Sequence, residues 1–104
     1  MTFYTKLAGV TFEGRQLVIR NLNRIGILDP GSTLVLKREP SNPYDPFAVA
    51  VVASNGQQIG YLPKDCARQV SMNMANGVSY HASVGAVTGG DAGNAYGVNI
   101  QISY

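Results

Sequence analysis

The fold of this chain depends on the stretch REPSNPYDP at positions 38–46. Its three prolines separate two strongly apolar runs, 34–36 and 48–52. Each proline fixes its own φ and pushes the preceding residue toward extended geometry, so the connection is stiff and has a defined shape. A plain turn between two strands needs no more than Asn-Gly. The stretch therefore predicts a shaped loop that presents the ring of Tyr44 beside the carboxylate of Asp45.

Length, composition and charge limit the classes of protein to consider. A chain of 104 residues predicts one domain over 1–104, and its 12 glycines are typical of a compact β-rich fold with many turns. The net charge is only +2, whereas proteins that grip duplex phosphates over a whole surface are much more basic. A small site that reads one or two nucleotides remains compatible with this charge.

The chain has a single cysteine, Cys66, and a single histidine, His81. This composition excludes an internal disulfide and the zinc sites built from cysteine and histidine. An unpaired thiol and the absence of an apolar run of about 18 residues predict a cytoplasmic protein that does not contact a membrane. No cofactor is predicted.

The spacing of apolar residues changes along the chain and predicts eight elements. Val18, Leu22 and Ile25 recur at helical spacing before Gly26, whereas Ala48–Ala53 is apolar throughout, as in a strand buried on both faces. The predicted order is strand Phe3–Phe12, helix Glu13–Ile25, strands Ser32–Arg38, Ala48–Ala53 and Gln57–Leu62, a helix from Pro63 to Asn76-Gly77, and strands Val78–Val87 and Tyr96–Tyr104. This order predicts a mainly β fold with two short helices, arranged as a small six-stranded barrel that is closed or nearly closed.

Catalytic patterns are poorly represented. His81 is the only imidazole and falls in a predicted strand, and the six acidic residues are scattered. The glycine-rich segment 89–93 lacks the Lys-Ser/Thr pair and the helix that follow a phosphate-binding loop. We therefore expect this chain not to be an enzyme.

Three motifs together carry a resemblance to a known family. They are the Arg-Glu-Pro-x-Asn-Pro-Tyr-Asp loop at 38–45, the Gly-Tyr-Leu-Pro-Lys step at 60–64 and the segment AGVTF at 8–12. They resemble the HIRAN domain, which occurs at the N-termini of helicase-like DNA-repair proteins and as small free-standing proteins in bacteria and phages. The resemblance runs from Phe3 to the C-terminus and fits the free-standing type. It implies an OB-like or SH3-like β-barrel.

The resemblance also implies that the domain captures the free 3′ end of single-stranded DNA. In the family pattern the loop aspartate accepts a hydrogen bond from the terminal 3′-hydroxyl, and Asp45 holds that position. Tyr44 holds the position of the aromatic that packs on the terminal nucleotide. Ser41 and Asn42 stand where two polar residues contact the terminal nucleotides.

The remaining site residues predicted for this chain provide charge and stacking. Lys64 matches a lysine that meets backbone phosphate, and Tyr96 matches a late aromatic that completes the base-stacking pocket. Phe12 and Tyr61 add two rings close to the same motifs, as expected for a single-strand binding site. Thr11 departs from the family pattern, because an arginine precedes the aromatic there in the eukaryotic relative. Arg15 or a later arginine of the first helix is a candidate replacement for that cation.

Simpler explanations stand beside these roles. Tyr44 and Asp45 are also typical turn residues, and Tyr61 is also typical of a core aromatic with its hydroxyl at the surface. Arg38 and Glu39 fit an ion pair that supports the loop. The alternative function is a protein-interaction or regulatory module that keeps the barrel without binding a DNA end. The sequence leaves open whether RNA, or a helicase or nuclease partner, is also bound.

Overall fold

A computed structural model describes residues 1–104, the whole printed chain. Its strands and helices follow the predicted order. The elements are β1 (Thr2–Lys6), α1 (Arg15–Arg24), β2 (Thr33–Arg38), β3 (Val49–Ala53), β4 (Gln58–Tyr61), α2 (Lys64–Ala75), β5 (His81–Thr88) and β6 (Gly97–Ser103). Neither helix has the length and apolar character needed to cross a membrane.

All six strands pair antiparallel in one curled sheet, in the order β1-β6-β5-β2-β3-β4. The two edges approach each other through a single bridge, in which Ala8 and Tyr61 exchange two backbone hydrogen bonds of 2.9 Å. Gly60 permits this approach, because a Cβ there would lie 2.8 Å from the carbonyl oxygen of Ala8. The sheet is therefore a nearly closed, OB-like half-barrel with two helices, which confirms the predicted fold class.

The core lies inside the curl and between the sheet and the two helices. In β3, four of five residues are buried with no alternation, which confirms the predicted strand covered on both faces. α1 contributes Ile19 and Leu22 to the core and packs beside β4, whereas α2 contributes Ala67 and Val70 and packs on β3. The helices thus brace the part of the sheet from which the loops near β3 and β4 emerge.

Several element boundaries differ from the sequence-based prediction. β1 ends at Lys6 rather than Phe12, because the chain turns at Gly9, whose φ of 68° is left-handed. Phe12 consequently lies in a turn before α1. Pro63 immediately precedes α2 instead of forming its first residue, and Tyr96 immediately precedes β6. Two of the predicted site residues, Phe12 and Tyr96, therefore lie outside the strands.

Candidate functional site

A groove of about 670 Å³ opens beside the connection between β2 and β3 (residues 39–48, here the proline loop). Its other walls come from the segment that follows β1, from the start of α1 and from the residues joining β4 to α2. The lining residues are Ala8, Gly9, Phe12, Arg15, Asn42, Pro43, Tyr44, Asp45, Ala48, Tyr61, Leu62 and Lys64. All three motifs singled out in the sequence therefore meet at one groove.

The groove brings together six of the eight site residues predicted from the sequence. These are Phe12, Asn42, Tyr44, Asp45, Tyr61 and Lys64. Ser41 is exposed on the proline loop outside the lining, and Tyr96 lies in a different depression. Within the groove, the ring of Tyr44 is almost entirely free, with 95% of the residue exposed.

Asn42 sets the conformation of the proline loop. Its Oδ1 accepts hydrogen bonds from the backbone N–H groups of Tyr44 at 2.8 Å and Asp45 at 3.1 Å. Its own N–H donates to the carbonyl of Glu39 at 3.0 Å. This Asx-type arrangement orients the backbone on which both Tyr44 and Asp45 are carried.

Asp45 has a structural role that uses only one of its two carboxylate oxygens. Oδ1 accepts a hydrogen bond from the N–H of Phe47 at 2.8 Å, which is the local capping expected of a turn aspartate. Oδ2 accepts no hydrogen bond from the protein, and Asp45 is half-buried in the groove lining. The residue therefore keeps a charged acceptor for a donor that enters the groove.

Glu39 links two walls of the groove; the sequence indicated that it supports the loop but not which partners it has. Its Oε1 accepts hydrogen bonds from the Tyr61 hydroxyl at 2.8 Å and from Nδ2 of Asn42 at 3.0 Å. The ion pair considered for Arg38 and Glu39 is not formed, because Nε of Arg38 donates instead to the buried Ser71 hydroxyl at 3.3 Å. The only local signal of this role was a carboxylate at the first position of the loop, directly before Pro40.

Arg15 lies between two aromatic rings of the groove. Its guanidinium carbon is 5.3 Å from the ring centroid of Phe12 and 5.2 Å from that of Tyr61, within cation–π range. Nη1 donates to the carbonyl of Gly9 at 2.9 Å, which fixes the guanidinium against the turn after β1. A cation thus stands in the groove although Thr11 offers none.

A tight turn places Phe12 and Arg15 side by side. The N–H of Arg15 donates to the carbonyl of Phe12 at 3.0 Å, and the two intervening residues, Glu13 and Gly14, have φ values of 25° and 74°. Left-handed geometry at a glutamate is uncommon, and such outliers are found preferentially at functional sites. The turn reverses the chain so that helix α1 starts at the rim of the groove.

Tyr96 is positioned by α1 instead of by the groove. The side-chain amide of Gln16 accepts from the Tyr96 N–H at 2.6 Å and donates to the Tyr96 carbonyl at 3.1 Å. The same Nε2 donates to the carbonyl of Val10 at 2.8 Å. Because Gln16 and Tyr96 are 80 residues apart in sequence, no local pattern could have indicated that they pair.

The single cysteine lies outside the groove lining. Cys66 is half-buried on α2 and packs against the core, as expected for a small apolar residue on a helix face. Burial, with a smaller contribution from the neighbouring Asp65 carboxylate, raises the pKa of its thiol. The thiol is therefore less ionised than an exposed one at any alkaline pH.

The chain is similar to proteins of known name over part of their length. Helicase-like transcription factor of Oryctolagus cuniculus is 34% identical over 79 residues, which are 76% of this chain and 8% of that protein. The Homo sapiens protein of the same name is 30% identical over a segment of the same length. The chain thus spans about 8% of the length of these curated relatives.

Two solved structures share the fold. The HIRAN domain of human HLTF superposes with a TM-score of 0.70 at 24% identity, covering 97% of this chain and 72% of that one. A Lactobacillus plantarum protein superposes with a TM-score of 0.71 at 15% identity, covering 100% and 98% of the two chains. The family model described as HIRAN domain matches residues 1–103. This chain belongs to the HIRAN domain family.

Proposed function

We propose that this domain binds single-stranded DNA and recognises a free 3′-hydroxyl end in the groove. The observation that carries the proposal is Asp45, whose second carboxylate oxygen is left for a ligand beside the open ring of Tyr44. Membership of the HIRAN family supports a nucleic-acid-binding module as the general class, in agreement with the family pattern found in the sequence. The proposal is of a binding module without catalysis of its own.

The aromatic residues of the groove suit unpaired bases. Stacking of a base on an aromatic side chain contributes about 1–3 kcal/mol and does not depend strongly on which base is present. Tyr44 is exposed over nearly its whole surface, and Phe12 is 58% exposed. In this proposal Tyr44 packs on the terminal nucleotide, and Asn42 and Ser41 contact the nucleotides beside it.

The cations of the groove suit the phosphates of a short strand. Lys64 is exposed at the start of α2, and Arg15 is fixed between the rings of Phe12 and Tyr61. Arg15 supplies the positive charge that the family pattern places at the position of Thr11. Two cations agree with the low net charge of the chain, since a site for a few nucleotides neutralises only a few phosphates.

A carboxylate in such a groove discriminates between ends. Asp45 repels phosphate groups but accepts a hydrogen bond from a hydroxyl, and a hydrogen bond to a charged group contributes about 1.5–3 kcal/mol. A strand ending in a 3′-phosphate would lose this bond and add repulsion between like charges. We therefore expect the 3′-hydroxyl end to bind at least about tenfold more tightly than the 3′-phosphate end.

The test is fluorescence anisotropy at low salt, with one labelled oligonucleotide prepared with either a 3′-hydroxyl or a 3′-phosphate. Asp45→Asn keeps an oxygen to accept from Phe47 N–H, so the loop should hold its shape while the charge is lost. We expect this variant to lose most of the preference for the hydroxyl end. Asp45→Ala should lose the preference and, in addition, some stability, because the N–H of Phe47 is left without its partner.

Equal binding of the two ends by the unaltered protein would contradict end recognition and leave a general single-strand binder. A wild-type preference that persists in Asp45→Asn would show that another group reads the end. The same oligonucleotide made as RNA tests whether the proposal extends to both nucleic acids. A role in DNA repair and a cytoplasmic location are further parts of the proposal that these assays do not address.

The groove also favours a second candidate function, a protein-interaction module. Phe12 and Tyr44 are large, exposed aromatic residues that line the same groove, and exposed apolar surface of this kind is typical of partner-binding surfaces. A helicase or nuclease is the partner class that the family context favours. If the protein binds neither oligonucleotide, this function replaces the first. Salt separates the two, because binding to phosphates weakens steadily with salt and a largely apolar interface does not.

A further inference from the structure

A second depression lies next to the groove, on the other side of the first turn of α1. It measures about 540 Å³ and is lined by Gln16, Leu17, Arg20, Gly90, Asn94 and Tyr96. The proposed function uses none of these residues, and the resemblance found in the sequence assigns a role only to Tyr96 among them. Its lining contains a cation and an aromatic ring and no carboxylate.

Tyr96 is held at its ring and at its backbone. One side of the ring rests on Gly90, where a methyl group in place of the hydrogen would overlap the ring. The backbone of Tyr96 is clamped by the amide of Gln16 through two hydrogen bonds, of 2.6 and 3.1 Å. A ring whose backbone is fixed in this way, and which still lines an open depression, is suited to stack on a planar group.

Arg20 provides the charge of the depression. It is exposed one turn along α1 from Gln16, and it forms neither an ion pair nor a hydrogen bond within the protein. Beside it, Leu17 adds apolar surface and is 58% exposed. Single-strand binding sites combine aromatic rings, which stack on bases, with cations, which contact the phosphates, and this depression provides one of each.

The groove and the depression are lined by consecutive residues of the chain. Arg15 lines the groove and Gln16, the next residue, lines the depression. The Gln16 amide also donates to the carbonyl of Val10, which lies in the segment leading to Phe12. The first turn of α1 therefore borders both concavities, and a strand that leaves the groove past Phe12 and Arg15 has to cross only that turn to reach the depression.

We propose that the depression is a second subsite for the same strand, which takes nucleotides on the 5′ side of those held in the groove. The new element is Arg20, which contacts a phosphate there beside the base on which Tyr96 stacks, the stacking role that the family resemblance already implies for Tyr96. The inference rests on the proposed function, since the groove anchors the 3′ end and so determines which nucleotides reach the depression. A binding site of this extent agrees with the roughly 4–16 nucleotides that single OB folds cover.

The first experiment compares fluorescein-labelled oligothymidylates of about three and about ten nucleotides, both with a 3′-hydroxyl, by anisotropy. The long strand should bind about tenfold more tightly, equivalent to about 1.4 kcal/mol. Arg20→Ala should remove most of this gain while leaving the short strand unaffected. For the long strand, the slope of log affinity against log salt concentration should be smaller in Arg20→Ala, by about the value that one phosphate contact contributes.

Arg24→Ala is the matched control. It removes the same charge from the same helix one turn further on, and Arg24 lines neither the groove nor the depression. The control should keep the full gain on the long strand. Equal losses in the two variants would overturn the subsite, because they would show only the effect of net charge.

A second pair of probes separates the base from the phosphate. The three-nucleotide strand is extended on its 5′ side either by thymidines or by abasic sites, which keep the phosphates and remove the bases. Tyr96→Leu should lower binding of the thymidine extension and leave the abasic extension unchanged, whereas Arg20→Ala should weaken both. Circular dichroism checks that Tyr96→Leu is folded, and Arg20 is exposed enough for its replacement not to affect folding.

The outcomes distinguish this inference from the proposed function. If the 3′-hydroxyl is preferred over the 3′-phosphate but length gives no gain, the groove stands and the second subsite is wrong. If length gives a gain that Arg20→Ala leaves intact, the strand follows another path and the subsite is again wrong. If neither end preference nor binding of any strand is found, both proposals fail.

Discussion

The proline loop and the glycine loop, defined here as residues 89–95 of the connection between β5 and β6, join neighbouring strands but hold their shapes by different means. In the proline loop, the side chains of Asn42 and Asp45 accept three hydrogen bonds from backbone N–H groups. In the glycine loop, the backbone bonds to itself, with Gly90 N–H donating to Asn94 at 2.9 Å and Asn94 N–H donating to Asp91 at 2.7 Å. Its three glycines all have left-handed φ values.

This difference determines which substitutions separate shape from binding. In the proline loop the residues that hold the conformation also line the groove, so one side chain has both roles. Near the glycine loop, the ring of Tyr96 lies just beyond the loop and its backbone is fixed by Gln16 from α1. We expect changes in the proline loop to alter both stability and end recognition. Changes in the glycine loop should alter stability and leave end recognition as it is.

The largest effect is expected at Glu39. Glu39→Ala leaves the Tyr61 hydroxyl and Nδ2 of Asn42 without their acceptor, which should cost about 1–3 kcal/mol in the free energy of unfolding. It should also reduce the preference for a 3′-hydroxyl over a 3′-phosphate, since Asn42 orients Asp45. Urea unfolding and anisotropy with the two oligonucleotide ends measure the two effects.

Glu39→Gln is the control for charge, because its amide oxygen can accept the same two hydrogen bonds. We expect it to retain most of both the stability and the end preference. If Glu39→Ala lost stability but kept the full end preference, Glu39 would support the fold and would have no positioning role. That result would also contradict the view that the proline loop joins shape and recognition.

An intermediate effect is expected at Gly90. Gly90→Ala places a methyl group against the Tyr96 ring at a φ of 81°, where left-handed geometry alone costs about 1 kcal/mol. Gly93→Ala is matched to it, because its φ is also 81° but open space surrounds its Cβ. By urea unfolding, both variants should lose the backbone cost, and Gly90→Ala should lose more because its methyl group overlaps the Tyr96 ring. The gain on long oligonucleotides should be reduced only in Gly90→Ala.

If both variants reduced the gain on long strands equally, the conformation of the glycine loop and not the Tyr96 ring would matter for binding. Both variants should keep the end preference of the unaltered protein, since neither residue lines the groove. A loss of end preference in either would contradict the separation of the two regions.

The smallest effect is expected at Cys66, which lies outside both loops. Its pKa is raised from the ordinary value of 9.0 by burial and by Asp65, so the unfolded thiol ionises before the folded one. The folded state then binds more protons above pH 9, and stability falls as pH rises through that range. Below the ordinary pKa the contribution is fully present.

Urea unfolding at pH 8 and pH 10 should show that Cys66→Ala loses slightly less stability over this interval than the unaltered protein. End preference and length dependence should be unchanged at pH 8. An equal loss in both proteins would show that the folded and unfolded thiols titrate alike.

Element order and the identity of the family could be predicted from sequence because their signals are local. Helical spacing in α1, the unbroken apolar run of β3 and the turn residues around it all act within a few positions. The boundaries near Phe12 and Tyr96 were wrong because strand-like composition continues past the point where the chain turns. A left-handed glycine or a contact from another element decided those ends.

The chain by itself determined the proline loop. Its prolines restrict the backbone directly, and the hydrogen bonds from Asn42 and Asp45 span two or three residues, so no distant element is needed to form them. Tertiary structure decided the links between Glu39 and Tyr61, between Arg15 and the two rings, and between Gln16 and Tyr96. Most of these links join residues tens of positions apart, and closing such loops is favourable only once the barrel brings its edges together.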